Sequence, residues 1–207
     1  ENAKKPNGFW GKMMIKAMNK GHSSLTSWGL EHMNIERTAT VLDIGCGGGK
    51  TVDRLCSIVA NGKVYGIDYS ELSVKSSEKL NSKNILCNKA KILQASVSDM
   101  PFDDNTFDNI TAVETYYFWP DKENDVKEVF RVLKQGGTVM LLFEMLRTDD
   151  DPFKWEKVEN MLNIKSVTPQ EIRAVLESAG FEHINTYTKE GTTWLCATAQ
   201  KPKDDEN

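Results

Sequence analysis

Two carboxylates around a glycine run limit what this chain can bind. Residues 41–51 read VLDIGCGGGKT, so Asp43 precedes four glycines in five positions and Lys50 follows them. A phosphate-binding P-loop needs Gly-x-x-x-x-Gly-Lys-[Ser/Thr]. Lys50 and Thr51 do follow Gly49, but the position five before Gly49 is Ile44. A loop that begins at Gly45 is one residue too short to wrap a phosphate. A dinucleotide loop needs Gly-x-Gly-x-x-Gly, its last glycine allowing close helix–strand packing. Counted from Gly45 and Gly47, that place holds Lys50, a bulky cation. What remains is Asp43-x-Gly45-x-Gly47-x-Gly49. An acid before the glycines repels a pyrophosphate and suits a ligand that carries an ammonium, which the glycines let the backbone approach closely. Asp68 stands 25 residues after Asp43, and a carboxylate there can accept both hydroxyls of a ribose. A glycine loop alone can be no more than a tight turn; its pairing with Asp68 favours a nucleoside-type site.

Positioning these groups takes alternating strands and helices. TVLDIG (40–45), KVYGID (63–68), KILQAS (91–96), FDNITAVE (107–114) and GTVMLLFE (137–144) read as strands. Between the first two, Val52, Leu55, Cys56 and Val59 share one helical face, with Gly62 as the C-cap. Ser70 is the N-cap expected of the next helix. NDVKEVFRVLKQGG (124–137) is a periodic helix stopped by its two glycines. In TPQEIRAVLESAGF (168–181), Thr168 caps the helix, Pro169 takes its first position, Glu171 completes a capping box and Gly180 stops it. HINTYTKE and TTWLCATAQK flank Gly191 as an antiparallel hairpin. The expectation is a doubly wound α/β fold with a mostly parallel, seven-stranded sheet and a C-terminal antiparallel hairpin. Its ligand belongs beyond the carboxyl ends of the strands.

Composition narrows the partners. The 207 residues suffice for one domain with a sizeable core, and 26 basic against 30 acidic residues give a net charge of -4. Nucleic acid is therefore not an expected partner. Cys46, Cys56, Cys87 and Cys196 form no CxxC pair and do not cluster with the three histidines, so neither a metal site nor a disulfide framework is expected. No apolar stretch approaches the ~20 residues of a membrane span, and the first residues lack a signal-peptide core. These features fit a cytoplasmic protein.

From about residue 38 to 145 the chain resembles class I S-adenosylmethionine-dependent methyltransferases, in particular the small-molecule branch that includes the ubiquinone/menaquinone-biosynthesis type. VLDIGCGGG resembles the family's first motif, with Asp43, Gly45, Gly47 and Gly49 in place. VYGIDYS resembles the second, which implies Asp68 on the ribose and Tyr69 beside the adenine. ASVSDMPFDDNTFDNI resembles the third and fourth, placing Ser96 and Val97 at the adenine edge and Glu114 among the cofactor contacts. VLKQGGTVML resembles the segment leading to the fifth strand. The resemblance implies S-adenosylmethionine as methyl donor and an oxygen, nitrogen or sulfur nucleophile of a small molecule as acceptor. The family often has an acid where Ser96 stands. Its members also often carry a His-His pair before Leu-Pro-Asp, where this chain has Tyr117-Phe118-Trp119-Pro120. A nicotinamide oxidoreductase on the same fold is disfavoured by Lys50, and a non-catalytic S-adenosylmethionine-binding regulator is the other alternative.

Four consecutive aromatics, Tyr116 to Trp119, can line an acceptor pocket, and tyrosine faces suit a sulfonium. The expected split has Tyr116 or Tyr117 facing that pocket, with Tyr117 also a catalytic candidate, while Phe118 and Trp119 pack the core. Residues 1–37 precede the methyltransferase domain (38–202), and residues 203–207 form a disordered acidic tail. In residues 1–37, Met13, Met14, Ala17 and Met18 make a core-like stripe. Such N-terminal helices cover the cofactor as a lid in this fold, which makes Trp10 a substrate contact and His22 a general-base candidate. His32 and His183 read as surface or sheet-edge residues.

Overall fold

The computed structural model describes residues 23–203; Trp10, His22 and the methionine stripe lie outside that range. The elements run α1 (Ser23–Leu30), β1 (Thr40–Ile44), α2 (Lys50–Ile58), β2 (Lys63–Asp68), α3 (Glu71–Leu80), α4 (Ser82–Leu86) and β3 (Ala90–Gln94). After β4 (Phe107–Val113) comes a 3-10 turn (Tyr116–Phe118), then α5 (Lys122–Val132), β5 (Leu133–Phe143) and α6 (Glu156–Leu162). α7 (Pro169–Ser178), β6 (Glu182–Thr188) and β7 (Leu195–Gln200) complete the described chain.

The seven strands lie in the order β3-β2-β1-β4-β5-β7-β6. β3, β2, β1, β4 and β5 pair in parallel, and β7 is antiparallel to both β5 and β6. The order reverses between β1 and β4, which opens a crevice at their carboxyl ends. Both faces of the central strands are covered, which explains their continuous apolar runs in place of alternation. Val41, Leu42, Ile110 and Leu142 are fully buried. One cluster packs α5 and α7 against the sheet through Val129, Ile172 and Leu176. Another packs α2 through Val52 and Leu55, and a third seats α1 through Leu25 and Trp28 on Met140 and Leu142.

Several boundaries follow the local chemistry. The Ser70 hydroxyl accepts the Ser73 N–H, and Thr168 and Glu171 exchange both bonds of the capping box. Two glycine readings are corrected. α2 ends at Ile58, before Gly62; a Cβ at Gly62 would lie 2.0 Å from the Ala39 carbonyl oxygen, so close backbone approach is what requires the glycine. α5 ends at Val132 and β5 starts at once, leaving Gly136 and Gly137 in an irregular stretch where the β4–β5 register shifts between Phe107 and Asn109. Gly136 has φ 75, a bulge conformation in place of the expected helix stop. His32 takes the sheet-edge place, against the edge strand β6. It is half-buried, stacked on Tyr187 at 4.0 Å and edge-on to Trp28 at 5.0 Å.

Candidate functional site

A cleft opens at the carboxyl ends of β1, β2, β3 and β4. Its wall combines Gly45, Asp68, Tyr69, Ser96 and Val97 with Thr115, Phe118, Trp119 and Pro120.

The glycines have three separate roles. Gly45 sits at φ 68, and a Cβ there would come within 2.1 Å of the Thr115 hydroxyl, so it lets β1 and β4 close together. Gly47, at φ 52, faces open space: the nearest atom to a Cβ would be the Gly45 carbonyl oxygen at 3.9 Å. That is the cradle a ligand backbone can enter. Gly49 faces away, because a Cβ there would meet Ser77 and Asn81 on the α3 side at 2.4 and 2.5 Å. Asn81 donates to the Gly49 carbonyl at 3.0 Å, and the Cys46 thiol donates to the Ser77 hydroxyl at 3.8 Å. Sequence reasoning missed this support. Its signal is the polar series Ser70, Ser73, Ser77 and Asn81, which recurs at helical spacing on the buried face of α3.

Asp68 ends β2 with both carboxylate oxygens oriented. Oδ2 accepts the Gly47 N–H and Oδ1 the Ser70 N–H, each at 2.9 Å. The Ser73 side chain also hydrogen-bonds this carboxylate, and with about four acceptor sites on its two oxygens it keeps capacity for a ribose hydroxyl. Burial raises the Asp68 pKa, and its two backbone donors counteract that. Asp43 is buried below the loop and accepts the Thr111 hydroxyl at 2.7 Å. Burial first, with the Asp68 charge adding to it, pushes its pKa up to about 7 against that hydrogen bond. Asp43 is not part of the cleft wall. Tyr69 is 36% exposed beside Asp68, and the Ser96 hydroxyl accepts the Ser98 N–H at 3.2 Å.

On the β4 side the expected division of aromatics is reversed. Phe118, Trp119 and Pro120 line the cleft, whereas Tyr116 and Tyr117 are buried with their rings edge-on to Phe143 at 5.7 and 5.6 Å. Trp119 does both jobs, since it also packs on Tyr116 at 5.2 Å within the core cluster. The Tyr117 hydroxyl accepts the Met145 N–H at 3.0 Å and donates to Glu114 Oε1 at 3.4 Å. Glu114, at the end of β4, has φ 57 and also accepts the Glu144 N–H. Burial pushes its pKa up to about 8, with the Glu144 charge adding to the rise. Glu114 lies behind the wall, next to Thr115. Among the described residues no group of His, Cys, Asp and Glu has a geometry for holding a metal.

Comparison with known proteins agrees with this geometry. A family model described as a methyltransferase domain matches residues 42–141. The chain is 27% identical to the uncharacterized methyltransferase YdaC of Bacillus subtilis, covering 87% of this chain and 93% of that one. It is 30% identical to the ubiquinone/menaquinone biosynthesis C-methyltransferase UbiE of Cronobacter sakazakii, over 76% of this chain and 72% of that protein. The chain belongs to the class I S-adenosylmethionine-dependent methyltransferases. The enzyme also matches longer sterol 24-C-methyltransferases, of which it spans less than half. Its fold superimposes on an S-adenosylmethionine-dependent methyltransferase from Aquifex aeolicus with a TM-score of 0.71 at 22% identity, over 91% of this chain and 97% of that one. S-adenosylmethionine is its methyl donor, and the open cradle at Gly47 with the oriented Asp68 fits that molecule. The nicotinamide alternative falls.

Proposed function

We propose that the enzyme transfers the methyl group to an oxygen, nitrogen or sulfur nucleophile of a small molecule. The observation that carries this reading is the composition of the cleft: Asp68 and the glycine loop on one side, the aromatic wall Phe118-Trp119-Pro120 on the other. In this reading Gly45 and Gly47 pass the backbone along the donor, and Asp68 accepts its ribose hydroxyls. Tyr69, Ser96 and Val97 flank the adenine, while Gly49 supports the loop from behind. Asp43 supplies negative charge below a cationic ligand. Relatives named as ubiquinone/menaquinone and sterol C-methyltransferases support a small-molecule acceptor, although the acceptor atom in their names is carbon. A sulfonium is already an activated donor, so alignment and exclusion of water can supply up to roughly 7–11 kcal/mol of the barrier reduction.

The same reading takes 38–202 as the catalytic domain and Trp10 and His22, outside the described residues, as acceptor contacts; α1, the described helix of residues 1–37, packs on Met140 and Leu142 and does not line the cleft. Negative net charge disfavours nucleic acid as substrate. No helix among the described residues is long and apolar enough to cross a membrane, and the four cysteines are unpaired, which supports a cytoplasmic location. The test is methyl transfer from labelled S-adenosylmethionine to 4-methylphenol, 4-nitrophenol, hydroquinone, an aromatic amine and a thiol. A methylated small product is expected; transfer only to protein or nucleic acid, or to nothing in the panel, contradicts the proposal.

A further inference from the structure

Resting on the reading of a small-molecule acceptor in this cleft, we propose that the Thr115 hydroxyl holds the acceptor's nucleophilic atom and that this atom is the nitrogen of a neutral amine. Thr115 does so by accepting one of the amine's N–H hydrogens.

Thr115 lines the cleft two residues beyond the end of β4. Ala112 of β4 pairs with Ile44 of β1, so Thr115 lies where the strand order reverses and ligands of such folds bind. Its hydroxyl faces the donor half of the cleft: a Cβ on Gly45 would come within 2.1 Å of it. Along the chain the wall continues as Phe118, Trp119 and Pro120. Thr115 thus joins the donor half to the aromatic half.

The hydroxyl is uncommitted. Thr115 is the N-cap of the 3-10 turn, a position where threonine ordinarily uses its side-chain oxygen on a backbone N–H. Here only its carbonyl serves the turn, accepting the Phe118 N–H at 3.0 Å, and the side chain caps nothing. The hydroxyl makes no other hydrogen bond among the described residues. Of the described side chains lining the β4 half, Thr115 alone can accept a hydrogen. Trp119 carries a donor only, and Phe118 and Pro120 carry neither. A half-buried hydroxyl without a partner costs free energy until a ligand supplies one.

The wall also limits the nucleophile. A neutral hydroxyl orients a hydrogen-bonded atom but takes no proton from it. Asp68 and Tyr69 are the ionisable side chains among the described lining residues. Asp68 is held at the end of β2 by the Gly47 and Ser70 N–H groups. Burial, with the Asp68 charge adding to it, pushes the Tyr69 pKa up to about 12, so its hydroxyl stays protonated. A neutral amine needs no proton removed in the step. Its lone pair attacks the methyl carbon, the N–C bond forms, and the C–S bond breaks with its electron pair going to sulfur. The positive charge passes from sulfur to nitrogen, and the methylated ammonium loses its extra proton to water after release. The rings of Phe118 and Trp119 suit that cation as they suit the sulfonium. One N–H held by Thr115 Oγ1 turns the lone pair toward the methyl group. A hydroxyl acceptor would have to lose its proton, and a thiolate has no hydrogen for Thr115 to accept.

The experiment compares wild type with Thr115→Val and Thr115→Ser on 4-methylaniline and on its N,N-dimethyl derivative, which lacks an N–H. S-adenosylhomocysteine affinity is measured in parallel by calorimetry. Thr115→Val keeps the shape and removes the hydroxyl. It should bind S-adenosylhomocysteine within about two-fold of wild type and lose about 3–10-fold in kcat/KM on 4-methylaniline, the scale of one neutral hydrogen bond. The loss should vanish on the dimethyl derivative, and Thr115→Ser should restore most of the rate. Wild-type pH profiles should follow the acceptor's own ionisation, rising at higher pH for benzylamine than for 4-methylaniline. Unchanged kcat/KM in Thr115→Val, an equal loss on both anilines, a loss matched by S-adenosylhomocysteine affinity, or wild-type transfer to phenols or thiols alone would each overturn the assignment. No transfer by wild type to any small acceptor would instead strike the reading it rests on.

Discussion

Along the carboxyl edge of the sheet, the ends of β1 and β2 offer the ligand backbone and carboxylates, whereas the end of β4 offers mostly side chains. On the first side, Gly45 and Gly47 create space by lacking a Cβ, and Asp68 is oriented by the N–H groups of Gly47 and Ser70. Every group there is set within two or three residues of a strand end. On the second side, Glu114, Thr115, Phe118 and Trp119 owe their directions to a positive φ, a 3-10 turn and packing on Phe143. The first half is thus a rigid donor site, and the second is where acceptor choice can vary without disturbing it.

The largest expected effect falls on the donor side. Gly47→Val places a side chain in the open space of the cradle, and affinity for S-adenosylhomocysteine should fall at least about a hundred-fold. The space around the added Cβ is open to 3.9 Å, but φ 52 strains a β-branched residue, so the loss combines a blocked cradle with a distorted loop. Circular dichroism and calorimetry together check this. Normal binding would reduce the loop to a turn.

Asp68→Ala should weaken binding of the same ligand by about 1.5–3 kcal/mol, the range for hydrogen bonds to a charged group. An effect confined to the acceptor's KM would contradict the division between the two sides.

The smallest effect spans both sides. Asp43 and Glu114 have folded pKa values raised to about 7 and about 8 from ordinary carboxylate values. Between those limits the folded state holds more protons than the unfolded one, so stability is fully present below about pH 4 for these groups and is lost as pH rises through 7 to 8. The free enzyme should therefore be less stable at pH 8 than at pH 5 through this pair. Denaturant titration of Asp43→Asn/Glu114→Gln should show a flatter profile; an identical slope would remove these two groups as its source.

The same contrast explains what the sequence makes legible. Asp43, the glycines and Asp68 are readable because a parallel strand, a tight turn and a helix fix their geometry locally. The parallel sheet and the C-terminal hairpin are readable from the alternation of strands with helices and from turn residues. The role of Gly49 is not, since Ser77 and Asn81 reach it from about 30 residues away in sequence. Nor is the exchange of roles between Tyr116-Tyr117 and Phe118-Trp119. Both pairs satisfy the same apolar pattern, which does not say which one reaches the cleft. The glycines at 136 and 137 mislead for a related reason: a helix stop and a β-bulge use the same residue type, and pairing with β4 selects the bulge.

The most direct measurement is amide chemical-shift mapping of the isotope-labelled enzyme, first with S-adenosylhomocysteine and then with a methylatable amine added to that complex. The first addition should move the signals of Cys46, Gly47, Asp68, Tyr69, Ser96 and Val97 and leave the β6–β7 hairpin in place. The second should move Thr115, Phe118 and Trp119. No shift at the glycine loop and Asp68 on the first addition, or shifts centred on the hairpin, would contradict the account.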